Sequence, residues 1–349
     1  MRFADNRNKI GKYIPAVVFL IFIYGMALWF VFSPKPDYSS SEKRYLQKFP
    51  EVTAEKLLSG DFGSEFETFF ADRFPQRNTW VGLNAYTALA EGNNGASGVY
   101  NCKNGYLINK PVSTENNLDK NIGAVADFAK SIDTPTTVML VPSTGYIVDD
   151  VLPTFHDKYN DDEDISKISS TLSKDKIGFV DLRERFKSEY KNGSQLYYKT
   201  DHHWTTKGAY TGYQELCKTL GITPIDDSTL KKDSYPDFYG TTYSSSGFWL
   251  TPPDNIEIWN NPKNSDRNIS VKITEGANIK TSGSMYFTDH LKEDDKYPVF
   301  IDGNHALTEI TNTNAKNGTI LLIKDSFSHS LAPFLAENYS KVVLVDLRY

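Results

Sequence analysis

Between Tyr13 and Phe32 the chain runs for twenty residues without a charged side chain (YIPAVVFLIFIYGMALWFVF). As a helix rising 1.5 Å per residue, such a run spans roughly 30 Å, the hydrocarbon thickness of a bilayer. Arg2, Arg7, Lys9 and Lys12 precede it against a lone Asp5. That basic flank favours a cytoplasmic N-terminus and an extracytoplasmic body. Tyr13 and Trp29 stand near its ends, where interfacial aromatics gather. A cleaved signal peptide is the alternative. The run is longer than a usual signal core, and the following SPKPDYSS offers no small-x-small cleavage site, so a single-pass, uncleaved anchor is expected. Residues 1–33 then form a cytoplasmic tip and transmembrane anchor, and residues 34–50 a linker that begins rich in Ser and Pro. The whole chain carries −6 and this first segment +3, which leaves −9 on the exported body.

That balance excludes nucleic acid as a natural partner, because phosphate binding needs a basic face. With 39% hydrophobic and 13% aromatic residues, the chain is too apolar to be disordered. Two cysteines in 349 residues exclude a disulfide scaffold and a Cys-rich zinc module. Cys102 and Cys217 are left open, as an exported pair or as two free thiols.

Residues 51–114 read as a helical and hairpin extension. Phe62, Phe66, Phe69, Phe70 and Phe74 recur at helical steps and make one apolar face. Pro75 opens a second helix towards Glu91. GVYNCKNGYLIN carries Asn104-Gly105 between two β-like runs, a type I′ hairpin signal. From residue 115 helices alternate with apolar runs. Helices are expected over 118–131, with Ile122, Val125, Ala126 and Phe128 on one side, over 163–174, over 205–220 and over 329–338. Strands are expected at TTVMLVP (136–142), KIGFVDL (176–182), GTILLIKDS (318–326) and KVVLVDL (341–347). This alternation implies an α/β domain with a mostly parallel sheet over 115–349. Residues 226–300 read as a β-rich or loop-rich insertion.

Chemistry in such sheets sits beyond the carboxyl ends of the strands, and three polar clusters fall there. In Asp201-His202-His203-Trp204 the Asp lies two residues before a His. On an extended segment both face one side, so Asp201 can hold one nitrogen of His203 and leave the other as a general base. A pair of histidines satisfied within a turn is the plainer reading. A metal reading is disfavoured, because His202 and His203 point oppositely on an extended chain. In Lys324-Asp325-Ser326-Phe327-Ser328 a serine stands at a strand-to-helix turn, where a nucleophile has its own backbone N–H at a helix N-terminus. Asp and Ser are also ordinary helix caps. His329, three residues on, is a second candidate to face the pocket. In Phe300-Ile301-Asp302-Gly303-Asn304-His305, after the strand-like YPVFI, Gly303 and Asn304 are candidate oxyanion donors, or simply a turn.

TDHHWTTKGAY (200–210) is similar to the signature of the DHHW protein family, and to the D-x-H-W segment of alginate O-acetyltransferases of the AlgX/AlgJ type. FFADRFPQRNTW (69–80), VPSTGYIVDD (141–150) and VFIDGNHALTEI (299–310) resemble further stretches of the family. The resemblance implies an SGNH-hydrolase-like three-layer α/β/α sandwich with a catalytic Asp and His first and the serine far downstream. It thereby implies Asp201 and His203, then Ser326. Lys324 departs from the pattern, since SGNH motifs have Gly there; it either crowds the substrate or faces solvent. Family members continue past an apolar strand such as the last one here, so a C-terminus cut short at Tyr349 is expected.

What the resemblance implies is an extracytoplasmic serine O-acyltransferase, an O-acetyltransferase by that analogy, acting on a cell-surface polysaccharide without cofactor or metal. The acyl donor would come through a membrane-bound O-acyltransferase partner. Trp204, beside the triad, is the first candidate to stack on a sugar ring, with Trp249 and Trp259 behind it. A carbohydrate esterase uses the same triad, and an anchored glycan-binding protein with a decayed hydrolase fold is a third reading.

Overall fold

The computed structural model describes residues 2–112, 117–175 and 177–349, with side chains from residue 11 onward. The expected domain start at residue 115 lies outside the described residues, as do the side chains of Arg2, Asp5, Arg7 and Lys9. The chain divides into two compact units, Met1–Asn84 and Ala85–Tyr349.

In the first unit one helix, Arg2–Phe32, runs through Pro15. Its part Gly11–Phe32 has a mean hydropathy of 2.4, with none of it buried. This segment is long and apolar enough to cross a membrane, as the sequence required. The phenylalanine face lies on helix Asp61–Asp72. Phe49 sets its ring edge-on to Phe62, Phe66 and Phe69, and Phe30 meets Phe70 at 4.7 Å. Such pairs gain from edge-to-face geometry beyond the area they bury. Arg44 grips the buried Asp72 through two nitrogens, and buried Arg73 donates to the carbonyls of Pro36 and Gln47. These bonds tie down the stretch before the helix.

In the second unit the Asn-Gly signal behaves as expected. Val99–Asn101 pairs antiparallel with Leu107–Asn109, and Asn104 and Gly105 take φ of 58° and 78°, as a type I′ turn demands. The helix expected over 118–131 forms. Only Ile122 and Ala126 are buried on it; Val125 and Phe128 are exposed. That helix thus buries a narrower stripe than its apolar pattern suggested.

Strand pairing departs from expectation. Two pairs are parallel: Thr137–Leu140 with Gly178–Asp181, and Asn317–Ile323 with Tyr339–Val345. Helix Ser328–Asn338 makes the crossover that the second pair needs. The other three pairings of the five-stranded sheet are antiparallel. Its order is Asn278–Ser282, Ile269–Glu275, Leu307–Asn312, Tyr339–Val345, Asn317–Ile323. The sheet is therefore mixed. Part of the region taken for an insertion supplies two of its strands, joined at Gly276 with φ 57°; strands joined by so tight a turn can only run antiparallel. The remaining hairpin of that region, Lys231–Phe238 with Asp254–Asn260, pairs on its own. YPVFI is not a strand; Tyr297–Val299 is a single 3₁₀ turn.

The core lies between the five-stranded sheet and helices Thr206–Leu220 and Ser328–Asn338. Tyr210, Tyr213, Trp259 and Phe334 interlock there, with ring centroids 5.3–6.1 Å apart. A Cβ on Gly208 would fall 2.2 Å from the Leu196 carbonyl, and one on Gly212 2.9 Å from the Trp204 ring. Glycine at both positions lets this helix approach the segment that carries Asp201 and His203. Cys102 and Cys217 are both free and buried. Burial pushes their thiols up, to about 12 and about 11, so neither is a thiolate at neutral pH.

Phe334→Ala is expected to cost about 3–5 kcal/mol, the usual cost of emptying a buried aromatic site. Urea unfolding followed by tryptophan fluorescence measures it.

Candidate active site

Two hydrogen bonds fold the loop that carries Asp201 and His203. They make an antiparallel bridge between Tyr197 and Trp204: the Tyr198 N–H donates to the His203 carbonyl at 3.2 Å, and the Thr205 N–H donates to the Leu196 carbonyl at 2.8 Å. Thr205 then caps the next helix by accepting from the Gly208 N–H at 3.1 Å. Between these ties the chain bends. Asp201 and His203 meet because of that bend, not through the extended geometry expected. Oδ1 of Asp201 accepts from the backbone N–H of His203 at 2.8 Å and from its ring Nδ1 at 2.5 Å. Oδ2 accepts from the N–H and hydroxyl of Thr241 at 2.6 and 3.0 Å.

Asp201 is 2% exposed and His203 4%. Burial alone would raise the Asp201 carboxyl. His203, His202 and the Thr241 N–H outweigh it and hold the group well below the usual carboxylate range. Asp201 is thus ionised at any working pH. It fixes the proton of His203 on Nδ1 and leaves Nε2 as an acceptor. Burial, then the neighbouring His203, keeps His202 below its ordinary value. Its Nδ1 donates to Thr241 Oγ1 at 2.6 Å.

Ser326 arrives from the far side of the sequence, between strand Asn317–Ile323 and helix Ser328–Asn338. Its Oγ lies 2.8 Å from His203 Nε2, which completes the line Asp201–His203–Ser326. The Phe327 N–H folds back to Asp325 Oδ1 at 3.0 Å, and the His329 N–H donates to the Ser326 carbonyl at 3.2 Å. The Ser326 N–H meets no acceptor among the described residues and stands at the helix N-terminus, where positive potential gathers. The Tyr297 ring lies flat against His203 at 3.9 Å and 9°, so the imidazole has no room to turn.

The other candidates are placed differently. Trp204 is fully buried; its Nε1 donates to the Phe327 carbonyl and to Ser330 Oγ, both at 2.9 Å. It braces helix Ser328–Asn338, which follows Ser326, and offers no face to a sugar. Trp259 is buried too. Gly303 spends its N–H on the Phe300 carbonyl, and exposed Asn304 accepts from Arg348 Nη2 at 3.1 Å. Among the described residues neither bonds to the triad. His329 is 1% exposed, so it does not open to solvent. Lys324 neither crowds the site nor faces water; its side chain is 2% exposed and paired with Asp346 at 2.9 Å. A ligand atom from each of Asp201, His202 and His203 lies within 4.8 Å of the others, and both Asp201 oxygens and both His203 nitrogens already hold partners in the network above.

Residues that sequence reasoning missed complete the site. Buried Asp254 accepts from Gln195, from the Lys199 and Thr200 N–H groups and from the Thr200 hydroxyl, at 2.7–3.0 Å. The Gly240 N–H donates to Thr200 Oγ1 at 3.1 Å. A Cβ on Gly240 would sit 2.1 Å from that of Asp201. Gly240-Thr241 forms no motif, and Asp254 lies 53 residues beyond Asp201, so no local signal announces them.

The sequence matches the family described as DHHW protein over residues 112–345. The chain belongs to the DHHW family. A DHHW family protein from Eubacterium siraeum aligns with a TM-score of 0.59 at 19% identity, over 73% of this chain and 84% of its own. Bacillus cereus PatB1, solved with a sulfonyl adduct, gives 0.58 at 21%, over 70% and 85%. The O-acetyltransferase domain of Pseudomonas putida AlgJ gives 0.43 at 13%, over 70% and 78%. No curated protein matches. At these identities the first two likenesses show a shared fold alone.

Gly240→Ala is expected to displace Asp201 and lower the rate of any Ser326-dependent reaction by about 100-fold or more, as ångström-scale misplacement does. Initial rates on an activated ester, with circular dichroism as a check of folding, measure it. A second expectation concerns the loop of Ile301, Asp302 and Gly303, whose φ are all positive (49°, 65° and 86°). His290 sets Nδ1 on Glu293 and Nε2 on Asp302, each at 2.8 Å. Burial works against the ring's charge, but the two carboxylates outweigh it and raise the pKa. The stabilisation is therefore full below the unfolded value of 6.5 and is lost as pH rises through the raised folded value. The Tm gap between wild type and His290→Gln, followed by thermal unfolding across pH, should be widest below the unfolded value of 6.5 and narrow as pH rises above it.

Proposed function

We propose that this DHHW protein is a membrane-anchored, extracytoplasmic serine O-acyltransferase that places acetyl groups on hydroxyls of a cell-surface polysaccharide. The observation that carries the reading is the buried line from Asp201 through His203 to Ser326, with Nε2 and Oγ 2.8 Å apart. The apolar helix within residues 1–33 holds the body at the outer face, and residues 115–349 form the catalytic domain, a three-layer sandwich of the SGNH type.

The chemistry follows from the geometry. His203 Nε2 takes the Ser326 proton as Oγ attacks the acyl carbonyl carbon. The oxyanion forms beside the Ser326 N–H at the helix N-terminus; Asn304 is the candidate second donor, released from Arg348. Ionised Asp201 stabilises the imidazolium and sets its tautomer. The imidazolium gives its proton to the leaving group, and an ester between the acyl group and Ser326 remains. A sugar hydroxyl then enters, loses its proton to Nε2 and attacks the ester carbonyl, which frees Oγ to recover a proton. The donor is an acetyl ester or thioester passed across the bilayer by a membrane-bound O-acyltransferase. Water in place of the sugar makes the same site an esterase.

Intact-mass spectrometry of the protein with an activated acetyl ester tests this. An acetyl adduct should form on wild type, be absent in Ser326→Ala, and discharge faster to a glycan than to water. His203→Ala and Asp201→Asn should slow acylation by about 1,000-fold or more, the usual cost of a broken triad. Discharge to water alone would assign the esterase. Equal labelling of wild type and Ser326→Ala would overturn the triad, and binding of glycan without turnover would favour the glycan-binding reading.

A further inference from the structure

Two side chains reach for each other across the turn of the nucleophile. Lys324 stands two residues before Ser326 and His329 three after. Lys324 Nζ donates to His329 Nε2 at 2.8 Å and to Asp346 Oδ2 at 2.9 Å. The Lys324 and Asp346 side chains are 2% and 1% exposed, and His329 is 1% exposed. An ammonium group only donates, so Nε2 of His329 must accept, and its proton rests on Nδ1. The anchor at the far end is firm. Asp346 directly follows the strand whose Val345 pairs with Ile323; it also takes three bonds from Arg348, from the backbone N–H at 3.2 Å and from the guanidinium at 2.9 and 2.7 Å. The Lys324 N–H donates to the Val345 carbonyl at 2.9 Å.

The near end meets the triad. The Ser326 carbonyl accepts from the His329 N–H at 3.2 Å and from the Tyr297 hydroxyl at 3.3 Å. Tyr297 is the ring stacked on His203, and its centroid lies 6.0 Å from that of His329. A buried ion pair is a poor source of stability, because desolvation offsets its attraction; what it can supply is a single arrangement.

We propose that Lys324 and His329 are positioning residues, and that with Asp346 they form a buried brace which holds the Ser326 turn at the distance His203 requires. This deepens the acyltransferase reading and rests on it. The brace touches no substrate. Its loss therefore lowers the acylation rate and leaves ester binding alone.

The test uses the full chain in detergent, with p-nitrophenyl acetate as substrate and phenylmethanesulfonyl fluoride as a serine probe. In the probe reaction Oγ bonds to sulfur, fluoride leaves, and His203 takes the proton. His329→Leu and Lys324→Met should lower kcat and the sulfonylation rate together by about 10–100-fold, with KM within about twofold, as misplacement of a reacting atom does. His329→Gln offers an amide oxygen to Lys324 and should stay within about threefold of wild type, since it keeps the brace. Circular dichroism and amide exchange over residues 326–329 check that the variants fold. Should His329→Leu fail to fold, Asp346→Asn removes the charge at the far end with the same shape and should show the same fall in kcat. A folded His329→Leu or Asp346→Asn that labels Ser326 at the wild-type rate overturns the brace and leaves the triad standing. If Ser326→Ala labels as wild type does, the nucleophile assignment falls and the brace falls with it.

Discussion

Asp201 is a carboxylate almost wholly removed from water. A lone buried charge of that kind costs several kcal/mol. It persists because four donors converge on it: the His203 N–H and Nδ1, and the Thr241 N–H and hydroxyl. Each donor also constrains a neighbour. The His203 contacts set the bend and the tautomer of the imidazole. The Thr241 contacts fasten a separate stretch of chain over the carboxylate, at a position where only glycine fits beside it. The site's geometry is thus the solution to one desolvation problem, and the His203 imidazole aimed at Ser326 is part of that solution.

The same problem recurs one step outward. Asp254 is buried beneath the loop and gathers four hydrogen bonds from residues 195–200. Lys324 and Asp346 are buried under the Ser326 turn, and the Lys324 ammonium is shared between Asp346 and His329. Charged groups in an interior tolerate few arrangements, because each alternative leaves a donor or acceptor unpaired. Asp254 thus pins the segment before Asp201, and Lys324 with Asp346 pins the segment around Ser326.

The sequence made the local elements legible where a local signal existed. The apolar run before residue 33 could only be a long helix, and Asn104-Gly105 demanded its turn. Thr205 announced a helix start. The strand-to-helix turn at Ser326 followed from an apolar run that ended in Asp and Ser. Sheet direction was less legible. Apolar strands between helices suggested a parallel sheet, yet the Gly276 hairpin and the placing of Leu307–Asn312 between its first strand and Tyr339–Val345 made three of the four pairings antiparallel. Trp204 misled for a related reason. An aromatic beside a catalytic motif can face substrate or core, and the choice depended on Phe327 and Ser330, more than 120 residues away.

By itself, then, the sequence determined the periodicities, the turns and the residue types from which a triad can be made. Those depend on interactions within a few residues, where hydrogen-bond geometry and side-chain direction repeat predictably. The tertiary structure alone decided that Ser326 meets His203 across 123 positions, that Gly240 and Thr241 close over Asp201, and that Lys324 is buried instead of exposed. Each of those outcomes turns on which distant groups share the same desolvated space. That is settled when the sheet and its two core helices pack, and no short window of sequence contains it.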